Sequence, residues 1–145
     1  MIDRPFVKFS RTSAPFWASL ESGALSMQRC GQCHRLVFYP RELCPYCSAS
    51  DLTWEKLSGR GRVYSFTIVR KPSIPSFRSL APYVYAIIEL SEGVRLASNV
   101  INCLPEEVAI DMPVRPVFAK APSSRTVLLF EPDPAPTKKP LLASG

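Results

Sequence analysis

Four of the five cysteines stand as two Cys-x2-Cys pairs, Cys30/Cys33 and Cys44/Cys47, with ten residues between the pairs. Two intervening residues let both sulfurs of a pair turn toward one point, and two such knuckles supply the four thiolates a tetrahedral ion needs. Zinc suits this donor set best. Residues 28–54 are too few to bury a self-sufficient core, so metal binding would supply the folding free energy of the segment. Between the pairs, "RLVFYPREL" offers a short strand, a turn at Pro40 and a return toward Cys44, the layout of a structural zinc ribbon.

Three rival readings of the same cysteines fit less well. A rubredoxin-like iron site shares the four-thiolate geometry. Glycine usually follows each pair there, whereas His34 and Ser48 do so here. A catalytic zinc keeps an open position for water, and four thiolates leave none. A redox Cys-x2-Cys belongs at a strand-to-helix junction, which a second copy ten residues on does not suit. His34, the single histidine, reads as a surface residue of the ribbon turn, and Cys103 as a buried, inert thiol. Glu89 and Glu92 flank a hairpin, and Glu106 and Glu107 open a helical turn, where carboxylates favour the local dipole. No catalytic constellation emerges, and "SGRGRV" lacks the spacing of a phosphate loop.

The 145 residues have room for one compact domain or a small module joined to a modest one. A hydrophobic fraction of 46% with 21% charged residues is globular composition, and 15 prolines against 6 glycines predict short strands and stiff loops. No apolar run reaches the roughly 18 to 20 residues of a membrane span, and the N-terminus lacks a signal-peptide design, so a cytoplasmic protein is expected. The net charge of +6 is uneven: Lys56, Arg60, Arg62, Arg70, Lys71 and Arg78 occur with no acidic residue among them. That stretch is a candidate seat for an anion, set against the plainer reading of a solvated basic face.

Along the chain, residues 1–14 read as an extended arm. Ser13 is placed to cap a short amphipathic helix carrying Phe16, Trp17, Leu20 and Ala24 on one side, with Gly23 to stop it. So short a helix must dock on something. After the cysteines, "GRVYSFTIVRK" alternates with period two, placing Val63, Ser65, Thr67 and Val69 on one face and Tyr64, Phe66 and Ile68 on the other. "YVYAIIEL" and "VRLASNVI" form a hairpin at Gly93, a turn is expected at Pro105, and "VRPVFA" and "RTVLLF" complete five strands. Five short strands without crossover helices predict an antiparallel, OB-like barrel. The resulting expectation is a mainly β chain: arm and helix over 1–27, ribbon over 28–54, barrel over 55–131, and a disordered Pro-rich tail over 132–145. The loop "PSIPSFRSLAP" should project stiffly from the barrel.

Taken together, "FWASLESGAL", "QRCGQC", "FYPRELCPYC", "WEKLSGRGRVYSFTIV", "PYVYAIIELSEGVRL" and "IDMPVRPVF" resemble the DUF35 family over about Pro15 to Phe130. The most specific parts are the run Phe38, Pro40, Cys44, Pro45, Cys47 and the segment Ser58 to Thr67. The family often has glycine at the positions of His34 and Asp111, so Asp111 is asked to take a turn conformation easier for glycine.

The resemblance implies a non-catalytic accessory subunit that binds a thiolase-like or condensing enzyme, or pairs with a hot-dog hydratase, and helps hold acyl-CoA. A homodimer or hetero-oligomer is in keeping with it. On this reading the metal is structural zinc at Cys30, Cys33, Cys44 and Cys47, and coenzyme A would meet Arg60, Arg62, Arg70, Lys71 and Arg78, with Phe77 or Tyr83 against the adenine. Phe16, Trp17, Leu20, Phe38 and Tyr39 would form a docking arm for the partner. The alternative is a single-stranded nucleic-acid binder using Tyr64, Phe66 and Tyr83 to Tyr85, although most of these should be barrel core. An enzyme in its own right is the remaining class.

Overall fold

The computed structural model describes residues 10–73, 75–120 and 126–134. The first nine residues and those after 134 lie outside that range, and so does the Phe77 side chain. Helix α1 (Ala14–Glu21) begins with Pro15 in its first turn, where the missing N–H costs nothing. Ser13 occupies the cap position but makes no capping bond. The preceding chain turns back on itself, and the Ser13 Oγ accepts the Ser10 amide at 3.0 Å instead. The far end closes as expected from Gly23. At φ +81° the glycine lets its own N–H reach Leu20 O and the Ala24 N–H reach Ser19 O, both at 3.0 Å, a Schellman closure. Ala24, expected on the helix face, therefore lies past the helix end.

Strands β1 (Leu25–Cys30), β2 (Leu36–Val37) and β3 (Leu52–Leu57) form an antiparallel sheet in the order β2-β1-β3, with Leu25 opposite Leu57 and Cys30 opposite Leu52. β1 was not foreseen, and β1 and β3 carry this sheet across the expected limits at 27 and 54. Five further strands, β4 (Gly61–Val69), β5 (Tyr83–Leu90), β6 (Arg95–Val100), β7 (Pro113–Lys120) and β8 (Thr126–Pro132), close a barrel in the order β4-β5-β6-β8-β7. Closure needs β4 against β7 at Gly61 and Val114, and one parallel contact between β6 and β8 at Val100 and Phe130. The Pro75–Leu80 and Pro105–Glu107 segments are 3-10 turns. The barrel extends past the expected tail boundary: β8 includes Pro132, and the Asp133 amide donates to Pro113 O at 3.0 Å.

The expected alternation of β4 is broken. Val63 pairs with Ile88 but Ser65 pairs with Ile87, so Tyr64 is an extra residue in a β-bulge. A one-residue insertion swaps faces. Val63 is fully buried, Phe66 and Ile68 turn inward after the bulge, and Tyr64, Ser65 and Thr67 face out. Tyr64 and Tyr85 are thus on the outer surface, not in the core.

One hydrophobic core runs through the molecule. Phe16 and Leu20 of α1, Leu25 and Met27 of β1, and Leu36 and Leu57 belong to the same buried cluster as Val63, Val84, Ile88, Val114 and Phe130 of the barrel. At the end of α1, the Glu21 carboxylate accepts Lys120 Nζ and the Thr126 amide, each at 2.8 Å, and so ties the helix to the β7–β8 hairpin.

Candidate metal centre and ligand cleft

The two knuckles are built alike. The amide of Cys30 donates to Arg35 O and that of His34 to Cys30 O, while Cys44 donates to Ala49 O and Ser48 to Cys44 O, at 2.8 to 3.0 Å throughout. In each knuckle the second residue after the leading cysteine turns its amide toward that sulfur, Gln32 to Cys30 Sγ and Tyr46 to Cys44 Sγ, both at 3.4 Å. His34 and Ser48, which follow the pairs, both take φ +64°, the left-handed conformation that glycine adopts more easily.

The result brings the four sulfurs within 4.8 Å of one another, with Cys30 to Cys47 at 3.5 Å and Cys33 to Cys44 at 3.6 Å. A tetrahedron with metal–sulfur bonds of about 2.3 Å has edges of about 3.8 Å, so the donor set fits such an ion. The Cys33 amide outweighs burial and holds the Cys30 thiol down to about 6, in its ligand form at neutral pH. Cys47 moves up to about 11: the Ala49 N–H favours its thiolate but is outweighed by the neighbouring sulfurs, Cys30 first, and by burial. Four crowded sulfurs cannot all ionise without a cation among them.

Two polar residues of β1 brace this clip. Buried Gln28 donates from Nε2 to Arg41 O at 2.8 Å and accepts the Arg41 amide at 2.7 Å, stitching the ribbon loop to β1. Arg29 grips Glu55 through Nε and Nη2 and donates from Nη1 to His34 O at 2.7 Å, which holds the first knuckle and keeps the Glu55 carboxyl below its usual range. Their only sequence signal was a pair of polar residues interrupting an apolar alternation.

The expected anion seat is split. β4 rises about 3.3 Å per residue, so Arg62 and Arg70 stand about 25 Å apart, at opposite ends of the strand. Arg62 is paired with Glu89 and Asp111, and Arg60 lies 3.9 Å from the buried carboxylate of Asp133. Asp111 takes φ +67°, the conformation anticipated for it.

Arg70, Lys71 and Arg78 are exposed, and none of them is among the residues that line a cleft of about 370 Å³ in the barrel. Leu80, Tyr83, Ile101, Cys103, Pro105 and Leu129 are among its lining residues. Arg70 lies 3.8 Å from Glu106, next to Pro105 in the same turn, and Arg78 precedes Leu80 by two residues. Cys103, expected to be buried, is half-buried in the cleft lining; partial burial, then Glu107, pushes its thiol up.

The docking residues are also divided. Phe16 and Leu20 are buried in the chain's own core, because a helix this short spends its apolar face on the β1 sheet and the barrel. Trp17 and Phe38 are half-buried against the same core, and Tyr39 is 60% exposed.

A four-sulfur ribbon sheet fused through one core to a closed five-stranded barrel defines a ribbon–OB-fold protein. Family models agree: one for the rubredoxin-like zinc ribbon domain of ChsH2 matches residues 17–53, and one for the ChsH2 C-terminal OB-fold domain matches residues 54–119.

Among curated relatives, a DUF35 domain-containing scaffold protein of Methanothermobacter thermautotrophicus is 38% identical over 66% of this chain and 72% of its own length. A probable enoyl-CoA hydratase alpha subunit of Thermomonospora curvata is 33% identical over 89% of this chain. The benzoylsuccinyl-CoA thiolase subunit BbsA of Geobacter metallireducens is 34% identical over 47% of this chain. The chain spans 40% of the hydratase subunit and 44% of the thiolase subunit. A solved chain from the Ltp2-ChsH2(DUF35) aldolase superposes with a TM-score of 0.77 at 33% identity, covering 89% of this chain and 98% of that one. The chain belongs to the DUF35 family.

Proposed function

We propose that this chain is a non-catalytic accessory subunit of a cytoplasmic acyl-CoA enzyme assembly. It binds a thiolase-like enzyme and contributes part of the coenzyme A site. Zinc sits in the four-cysteine clip and fixes the knuckles in place. Hetero-oligomeric assembly follows from this reading, with a hot-dog hydratase as the other partner class.

The observation that carries the coenzyme A part is a mainly apolar cleft whose lining residues Pro105 and Leu80 adjoin the segments that carry exposed cations: Arg70 reaches Glu106, and Arg78, like Leu80, belongs to the Pro75–Leu80 turn, with Lys71 following Arg70. Coenzyme A has a phosphate-rich end and a thin pantetheine arm that mixes amides with apolar groups, and a narrow cleft lined by apolar residues with Asn99 and Asn102 suits that arm. Arg60 and Arg62 drop out of the site because they stand at the opposite end of β4, where Arg60 faces Asp133 and Arg62 pairs with Glu89 and Asp111; Arg70 also has an acidic neighbour, Glu106, but at the cleft end. The partner class rests on the family and on relatives named as scaffold proteins and as subunits of hydratase and thiolase enzymes. Among the described residues no helix is long and apolar enough to cross a membrane.

Isothermal titration with coenzyme A, with the chain alone and with its co-purified enzyme, tests the site. Lys71→Glu with Arg78→Glu should weaken binding at least tenfold in whichever state binds. Unchanged affinity in both states would reject the site. Nucleic-acid binding draws less support, because the exposed Tyr64 ring is already covered by the Arg95 guanidinium at 3.8 Å, and Arg95 is paired with Glu89.

A further inference from the structure

The ribbon ends in a surface that its own metal clip does not account for. Between β2 and the last cysteine, three large apolar side chains face solvent: Tyr39 at 60%, Leu43 at 54% and Tyr46 at 57% exposure. Scattered exposed apolar residues mean little, but these belong to one short loop and two of them are held rigid. Tyr39 ends a line of rings leading out of the core. Trp17 meets Phe16 edge-on at 5.1 Å, Phe16 meets Phe38 at 5.6 Å, and Phe38 backs Tyr39 at 4.3 Å. Tyr46 lies between two metal ligands with its amide turned to Cys44 Sγ, and Arg35 stacks on its ring at 4.8 Å. The Gln28 side chain pins Arg41 between them.

Rigid aromatic residues backed by packing and flanked by arginine are what interface hot spots are made of, because little conformational entropy is lost when they are covered. The charge around them names the occupant. Arg35 and Arg41 have no ion pair among the described residues, and Glu42 is the one acidic residue in the loop.

We infer that the ribbon tip, Tyr39, Leu43 and Tyr46 framed by Arg35 and Arg41, is the docking surface for a folded enzyme partner that presents an apolar recess with an acidic rim. This rests on the accessory-subunit reading and relocates the contact from α1, whose apolar face is spent, to the far end of the ribbon. A second copy fits less well, since a two-fold contact would set the arginines against themselves. A single-stranded nucleic acid fits less well too. Phe38 and Arg35 each pack on one tyrosine ring and leave less face for a base, Leu43 offers no stacking face, and Glu42 would meet the phosphates.

The test uses the full zinc-loaded chain, co-expressed with the thiolase-fold enzymes of its own organism, and reads the affinity of the purified pair by interferometry. Tyr39→Ala combined with Leu43→Ala should weaken the pair at least about 30-fold. Arg41→Glu should slow association at low salt more than at high salt. Tyr64→Ala, on the barrel, should change nothing. Zinc content and melting temperature, measured on every variant, separate lost contact from lost fold, and Tyr46→Phe gives a milder probe that keeps the ring.

If the wild type pairs with a thiolase-fold enzyme and the tip variants bind it as well as the wild type, the surface is wrong while the accessory role stands. If the wild type pairs with none, the accessory reading falls and this inference with it. Concentration-dependent dimerisation abolished by the tip variants would overturn it in favour of a second copy, and tip-dependent binding of a dT12 oligonucleotide in favour of nucleic acid.

Discussion

Leu20→Ala is the substitution that most directly tests whether ribbon and barrel are one cooperative body. Leu20 is 1% exposed and sits in the buried cluster shared by α1, the ribbon sheet and the barrel. Truncation removes its burial and leaves a cavity, a change that costs about 3 kcal/mol where the surroundings relax partly. Over about 120 described residues that corresponds to a drop in melting temperature of about 10 °C. Both tryptophans, Trp17 and Trp54, lie on the helix and the ribbon sheet, so their fluorescence reports that half while far-UV circular dichroism is dominated by the barrel. The two probes should show one coincident transition in the wild type, and both should shift together in the variant. A variant whose fluorescence transition moves while the circular dichroism transition stays would refute the single core and make the ribbon a separately folding unit.

Two further outcomes follow from the same contacts. Glu21 is held down to about 2, chiefly by the Lys120 ammonium and then by the Thr126 amide. Its folded pKa lies below its ordinary value, so its stabilising effect is present above about 4.5 and fades as pH falls toward about 2. Glu21→Gln should therefore melt below the wild type at pH 7, with the gap closing across that window; a gap constant with pH would show that the carboxylate's charge contributes nothing. Chelation of the metal should open the knuckles first, because Cys30, Val37 and Cys44 form a small cluster apart from the main core. Limited proteolysis of the chelated chain should cut within residues 31–51 before it cuts the barrel, and cleavage starting in the barrel strands would contradict this.

How far these contacts could be read from the chain alone depended on how local their causes are. The four cysteines declare themselves because a knuckle is made within six residues, and Gly23 announces the end of α1 because a Schellman closure is equally local. The five barrel strands were legible from their apolar pattern and punctuation. Tyr64 was not, since "GRVYSFTIV" alternates faultlessly as a string. The bulge comes from its neighbours. Val63 exchanges hydrogen bonds with the 111–112 turn, receiving the Asp111 amide at 2.8 Å and donating to Met112 O at 3.0 Å, while its partners on β5 slip by one residue. β1 was hidden in the same way, its alternation masked by Gln28, a polar residue buried only because Arg41 comes back to meet it.

The same distinction explains why Phe16 and Leu20 of the expected docking arm are buried in the chain's own core. Amphipathicity reveals that Phe16 and Leu20 need cover but not what covers them, and a chain with a barrel beside its ribbon can provide that cover itself. Once α1 is spent in this way, the ribbon is no longer free to swing. It is mounted on the barrel through α1 and β1, and braced from the other side by Glu21 against Lys120 and Thr126. The metal then has a narrower task than folding the whole segment: it fixes the two knuckles and the loop between them at the end of a rigid mount. An aromatic surface at such an end and a mainly apolar cleft on the barrel keep a fixed geometry. A partner enzyme engaged at the tip and an acyl-CoA held at the cleft would therefore meet at a set distance and orientation, which a flexible tether would not maintain.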